Sequence, residues 1–74
     1  RNSDDQTRSL ERSYLADPGN RVVLRKLILT LARSNGLIAM IKEVGQLWRS
    51  NELAPDHADI DLMAEVAFDM SKDN

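Results

Sequence analysis

The amino-acid sequence predicts an all-α protein of about four helices, arranged as antiparallel helical hairpins. In several segments apolar residues recur at i, i+3, i+4 and i+7, which is the spacing of an amphipathic helix. No segment alternates apolar and polar residues with the period of two that is typical of a half-buried strand. Residues that commonly flank helices, such as Asn20, Gly36 and Pro55, separate the periodic segments. A chain of 74 residues without cysteine is at most one small domain and has no disulfide to stabilise it.

The first predicted helix occupies the residues that precede Pro18. Ser3 followed by Gln6 resembles a capping box, in which the cap hydroxyl and a side chain three residues later satisfy the first N–H groups. Leu10 and Tyr14 supply a narrow apolar stripe. The helix has to end before Pro18, because proline lacks an N–H and disfavours helical geometry at the preceding residue.

The central hairpin, residues 17–50, consists of two helices joined at Asn35 and Gly36. Asn20 suits the N-cap of the first helix, since its side-chain oxygen can accept hydrogen bonds from first-turn N–H groups. Gly36 suits the left-handed backbone position that commonly ends a helix. The predicted apolar face comprises Leu24, Leu27, Ile28 and Leu31 in the first helix, and Leu37, Met40, Ile41, Val44, Leu47 and Trp48 in the second.

A fourth helix is predicted from His57 to about Ser71. Asp56 followed by Asp59 again resembles a helix start, where carboxylates favour the positive end of the helix dipole. Its predicted apolar face comprises Ile60, Met63, Ala64, Ala67 and Phe68, and its acidic residues lie mostly off that face.

Charge is distributed unevenly along the chain. Residues 21–50 hold six lysines or arginines against one acid, Glu43, whereas residues 51–74 hold seven acids against Lys72 alone. The pattern indicates that the two segments are neighbours that partly neutralise each other.

The two halves of the chain are similar to each other at a spacing of about 36 residues. Leu24, Leu27, Ile28 and Leu31 each precede an apolar counterpart by 36 positions: Ile60, Met63, Ala64 and Ala67. An aromatic residue precedes each proline, Tyr14 before Pro18 and Trp48 before Pro55. A period of this length in helix pairs is typical of a helical solenoid.

With these features the chain resembles the tetratricopeptide-repeat (TPR) family. The similar segments are Tyr14 to Asn20, which resembles a repeat end, Leu27 to Gly36, which resembles a first helix and its turn, and Leu47 to Pro55, which resembles the next repeat end. Ile41 stands where the family favours a small residue, which is a departure from the pattern. The resemblance implies a TPR-like α-solenoid fragment with the second half of a repeat at 1–18, a full repeat at 19–54 and the first half of a repeat at 55–74.

The resemblance also implies a non-enzymatic scaffold that binds a peptide or partner helix, or that stacks on neighbouring repeats. Carried onto this sequence, the exposed positions of the full repeat's first helix are Arg21, Arg25, Leu29 and Arg33. Spacings of four independently place these residues on one side of the helix. Guanidinium groups there would bind the carboxylates of an acidic partner. The alternative is an ordinary solvated face, or one covered by the acidic C-terminal helix of the same chain.

Two other functions remain open from the sequence. Leu31 to Gly36 resembles the turn of a DNA-binding helix-turn-helix, although the helix that follows begins with five apolar residues and the net charge is −2. Ile38 and Ala39 lie outside the main apolar stripe and would form the interface of a homodimer.

Neither catalysis nor a cofactor is expected. The chain has one histidine, His57, at a predicted helix start, and its neighbours Asp59 and Asp61 do not have the spacing of helical metal ligands. No apolar run is long enough to cross a bilayer and no signal peptide is visible, so the sequence predicts no membrane span and no particular compartment. Because the chain starts at Arg1, we expect it to be cut from a larger protein.

Overall fold

The computed structural model describes the backbone of residues 2–72 and the side chains of residues 5–72. Over this range the chain forms four α-helices and no strand: α1 (Asn2–Ala16), α2 (Arg21–Asn35), α3 (Leu37–Ser50) and α4 (His57–Lys72). The predicted all-α class and the number of helices are confirmed. The predicted capping box at Ser3 depends on a side chain that lies outside the described residues. Arg1, Asp73 and Asn74 also lie outside them.

Helix α2 lies at the centre of the molecule. The helix pairs with extensive contact are α1–α2, α2–α3 and α2–α4, so each of the other helices packs against it. Its predicted apolar face is confirmed, because Leu24, Leu27, Ile28 and Leu31 are all buried. The other helices complete the core with Tyr14 from α1, with Met40, Val44 and Trp48 from α3, and with Val66 from α4.

Both predicted ends of α2 form as the residue types require. The Asn20 side-chain oxygen accepts hydrogen bonds from the N–H groups of Val22 and Val23, at 3.1 and 3.3 Å. Gly36 has a φ of +93°, a conformation that residues with a Cβ rarely adopt. Its N–H donates to the carbonyl of Ala32 at 2.9 Å and closes the last turn of α2. Gly36 is therefore the single residue between the end of α2 and the start of α3.

A buried hydrogen bond connects α1 to α3. The indole N–H of Trp48 donates to the hydroxyl oxygen of Tyr14 at 2.8 Å. Burial raises the pKa of the Tyr14 phenol above its ordinary value of 10.0, although the hydrogen bond from Trp48 opposes this effect. The predicted packing role of Trp48 is confirmed, since only 6% of the residue is exposed.

The predicted apolar face of α4 is only partly correct: Met63 and Ala67 are partly buried as predicted, whereas Ala64 is exposed. The residues of α4 that are buried are Asp59 and Val66, with Leu62, Met63 and Met70 partly buried, whereas Ile60 and Phe68 are 43% and 64% exposed. The helix is therefore rotated about its axis relative to the prediction. The rotation brings the Asp59 carboxylate to within 3.4 Å of the Arg21 side chain, which offsets the cost of burying a charge.

Ile41 was also predicted to lie in the core of the hairpin, and it is 45% exposed. Its neighbours Met40 and Val44 fill the contact with α2. Within the described residues, α2 is the one helix with which α3 has extensive contact, and the buried residues of α3 form a narrow stripe of Met40, Val44 and Trp48.

Candidate partner-binding groove

The basic residues at the start of α2 face the acidic helix α4. An Arg21 Nη lies 2.7 Å from an Asp56 carboxylate oxygen, and the Arg21 Nε lies 3.4 Å from Asp59. An Arg25 Nη lies 3.9 Å from a Glu65 carboxylate oxygen, a longer and therefore weaker pairing. The expected neutralisation of the basic segment by the acidic one is thus observed at these two arginines.

Asp56 and Asp59 cap α4 reciprocally. The backbone N–H of Asp59 donates to one Asp56 carboxylate oxygen at 2.9 Å, and the backbone N–H of Asp56 donates to Asp59 at 3.2 Å. The hydrogen bond from the Asp59 N–H, together with the nearby Arg21 guanidinium, lowers the pKa of the Asp56 carboxyl below its ordinary value of 3.8. The predicted capping role of both aspartates is confirmed, and it fixes the start of α4 beside Arg21.

Between α2 and α4 lies an open groove of about 420 Å³. Its apolar lining comes from Val22 on α2 and from Ala58 and Leu62 on α4. Arg21 and Arg25 form one wall, and Asp61 and Glu65 form the other. Val22 is 67% exposed, so an apolar side chain is presented to solvent between charged walls. Such a concave apolar surface with a few charged groups is typical of a binding site.

The four residues predicted as a binding face do not share one environment. Arg21 and Arg25 line the groove, and Leu29 is partly buried and packs against the core. Arg33, in the last turn of α2, is exposed and forms no ion pair with any described residue. The structure thus brings only the first two of these residues together with α4.

The remaining groove residues were not singled out from the sequence. Ala58, Asp61, Leu62 and Glu65 enter the groove because α4 is rotated, which periodicity alone does not reveal. Val22 could have been identified from the sequence as an exposed apolar residue, because it lies in the first turn of α2 and off the buried stripe of that helix.

A second exposed surface lies on α3. Ile38 is 73% exposed, while Ala39 is only partly exposed. Together with Ile41, Ile38 leaves aliphatic surface in water on the outer side of the hairpin, which is where the sequence predicted an apolar patch.

Within residues 2–72, no three histidine, cysteine or acidic side chains are grouped so that they could hold a metal ion. His57 is exposed at the start of α4. In the same range, no helix combines the length and the apolar character needed to cross a membrane.

Comparisons with known proteins give no indication of function, so a functional proposal has to be based on the geometry of the groove. No protein-family model matches the chain, and neither the curated proteins nor the solved structures contain a chain found to be similar to it.

Proposed function

We propose that this chain is a non-enzymatic protein–protein interaction module, of TPR-like type, that binds a partner helix or peptide in the α2–α4 groove. The observation that carries the proposal is the exposed side chain of Val22, which lies between the charged walls of this groove. The groove lies between the first helix of the expected full repeat and the first helix of the expected next repeat. A helical repeat of this kind would carry its binding surface at this position.

The proposal is tested with a defined probe, an amphipathic helical peptide with a leucine stripe flanked by glutamates on one side and lysines on the other. We expect the backbone amide signals of Val22, Ala58 and Leu62 to shift in NMR spectra as this peptide is added. The variant Val22→Glu places a charge on the apolar lining and should abolish these shifts. Ile38→Glu, which makes the same kind of change on α3, should leave them intact.

Two results would contradict the proposal. One is the absence of any shift at the groove when the peptide is present at about 1 mM, a concentration that detects binding free energies near 4 kcal/mol. The other is binding that Ile38→Glu abolishes and Val22→Glu does not, which would move the site to α3.

A second candidate function is self-association as a small homodimer. It is favoured by the exposure of Ile38 on α3 and of Ile60 and Phe68 on α4, which are large apolar side chains left in water. DNA recognition has no comparable support, because the exposed positions in the first turns of α3 include Ile38 and Ile41.

A further inference from the structure

The two walls of the α2–α4 groove carry opposite charge, with Arg21 and Arg25 on α2 and Asp61 and Glu65 on α4. Helix α2 contains four basic residues and no acid, and helix α4 contains four acids with one basic residue, Lys72, in its last turn. The charge of each wall thus has the same sign as the net charge of the helix that forms it. A ligand that lies along the groove meets positive charge on one side and negative charge on the other.

Some of these charges remain available to a ligand. Arg21 is already paired with Asp56 and Asp59 at the start of α4. Arg25 has its nearest carboxylate, that of Glu65, at 3.9 Å, and Asp61 forms no ion pair with any described residue. Arg25 on one wall and Asp61 and Glu65 on the other are thus the groups that a ligand can engage.

The walls also indicate the backbone conformation of the ligand. Both are helices, whose backbone N–H and C=O groups are paired internally except near their ends. An extended peptide could not add hydrogen bonds here as it does at the edge of a sheet, whereas a helix satisfies its own backbone. An amphipathic helix would place its apolar stripe on Val22 and Leu62, which line the groove.

We infer that the ligand of this groove is an amphipathic helix of split charge, with an apolar stripe that has carboxylates on one side and basic groups on the other. This inference rests on the proposed function and specifies the partner. The carboxylates of the ligand would pair with Arg25, and its basic groups with Asp61 and Glu65. A ligand helix with its acidic and basic flanks exchanged could still bind by lying in the opposite direction along the groove. The groove therefore requires that the ligand's acidic and basic residues be on opposite flanks, and it does not require a particular net charge.

The test compares three peptides with the same leucine stripe: one with glutamates and lysines on opposite flanks, one with glutamates on both flanks and one with lysines on both. Fluorescence anisotropy at low salt should show the split-charge peptide binding about threefold to tenfold more tightly than either of the others, as expected for a few exposed ion pairs. The difference should disappear near 1 M salt, where the Debye length is about 3 Å.

A charge reversal in the protein provides the matching test. The double variant Asp61→Lys and Glu65→Lys makes both walls basic and should transfer the preference to the all-glutamate peptide. The control Asp17→Lys and Glu52→Lys changes net charge equally at exposed residues outside the groove lining, and it should keep the preference for the split-charge peptide.

The outcomes separate the two proposals. If all three peptides bind in the groove with equal affinity, or if the control transfers the preference as the groove variant does, the split-charge inference is wrong and the proposed function stands. If none of the three binds, the proposed function is wrong and the inference falls with it.

Discussion

At the scale of single residues, the hydrogen bond between Trp48 and Tyr14 connects the first and third helices, whose described residues have no extensive contact of their own. Both side chains are buried, so neither polar atom could turn to water if its partner were removed. A buried polar group left without a partner costs more than the hydrogen bond itself contributes. This pair therefore positions α1 and α3 relative to each other on the surface of α2.

Replacing Tyr14 with Phe should destabilise the protein by about 1–3 kcal/mol, because the indole N–H of Trp48 is then buried without an acceptor. The measurement is urea denaturation followed by the fluorescence of Trp48, the single tryptophan. Ser13→Ala, at the exposed neighbouring position, is the control and should change the free energy of unfolding by less than about 0.5 kcal/mol. Equal stability of Tyr14→Phe and the parent protein would show that the hydrogen bond has no structural role.

Gly36 and Gly45 are two glycines with opposite expected responses to alanine. At Gly36 a Cβ would meet no atom within 4 Å, but the φ of +93° is unfavourable for alanine, and we expect a loss of about 1 kcal/mol or more. Gly45 lies inside α3, where its added Cβ would make only ordinary contact with Arg49 at 3.6 Å. Gly45→Ala should therefore stabilise the protein by about 0.5–1 kcal/mol, the difference in helix propensity.

Thermal unfolding followed by circular dichroism distinguishes these two glycine variants by the sign of the change in Tm. A rise in Tm for Gly36→Ala would mean that the turn between α2 and α3 does not depend on its positive φ. A fall for Gly45→Ala would mean that α3 has a packing constraint at that position.

At the scale of helices, the sequence predicted the interior of the molecule better than its edge. The stripe of Leu24, Leu27, Ile28 and Leu31 is buried as predicted, since the first helix of the hairpin has one continuous apolar series and the opposite positions are mostly polar or basic. Helix α4 has two overlapping series, one through Ile60 and Phe68 and another through Leu62 and Val66. Periodicity cannot choose between two such series.

The choice depends on contacts between residues that are distant in the sequence. Arg21 pairs with Asp56 and Asp59, 35 and 38 positions later, and Val66 of the second series packs into the core formed around α2. The groove is a consequence of the rotation of α4, so its α4 wall could not be predicted. Its α2 wall could be, because Arg21 and Arg25 lie off the buried stripe whatever packs against them.

The start of α4 should give the protein a dependence of stability on acidity. The pKa of Asp56 is lowered in the folded state, so the folded state favours the ionised carboxylate. The resulting stabilisation is fully present above the ordinary pKa of 3.8, and it is lost as the pH falls through that value toward the lower pKa of the folded protein. Asp56→Asn keeps an oxygen that can accept the Asp59 N–H but removes the charge that faces Arg21.

Urea denaturation from about pH 7 to about pH 2 compares the parent protein with Asp56→Asn. The variant should be less stable at neutral pH and should lose less stability on acidification, so the two curves converge at low pH. Parallel curves would mean that Asp56 has the same pKa in the folded and unfolded states.

At the scale of the whole molecule, the chain is compact. The radius of gyration of 11.5 Å is close to the value of about 11 Å expected for a globular chain of this length. Among residues 5–72, the core consists of ten buried apolar residues around α2, of which α4 contributes only Val66. The outer side of α4 consequently leaves Ile60 and Phe68 in water.

We expect this uncovered side of α4 to cause weak self-association. Ile60, Ala64 and Phe68 are spaced by four residues, so two copies of α4 could pack antiparallel with Ile60 opposite Phe68 and the small Ala64 at the crossing point. The ring of Phe68 is only partly covered, by the Lys72 ammonium 5.3 Å from its centre.

Sedimentation equilibrium at two protein concentrations should detect a monomer–dimer equilibrium, and Phe68→Gln should shift it to monomer. Ile38→Gln, which removes an exposed apolar side chain from α3, should leave the equilibrium unchanged. A monomer at both concentrations would exclude the homodimer as a function of this chain, and a dimer that is lost only in Ile38→Gln would place the contact on α3.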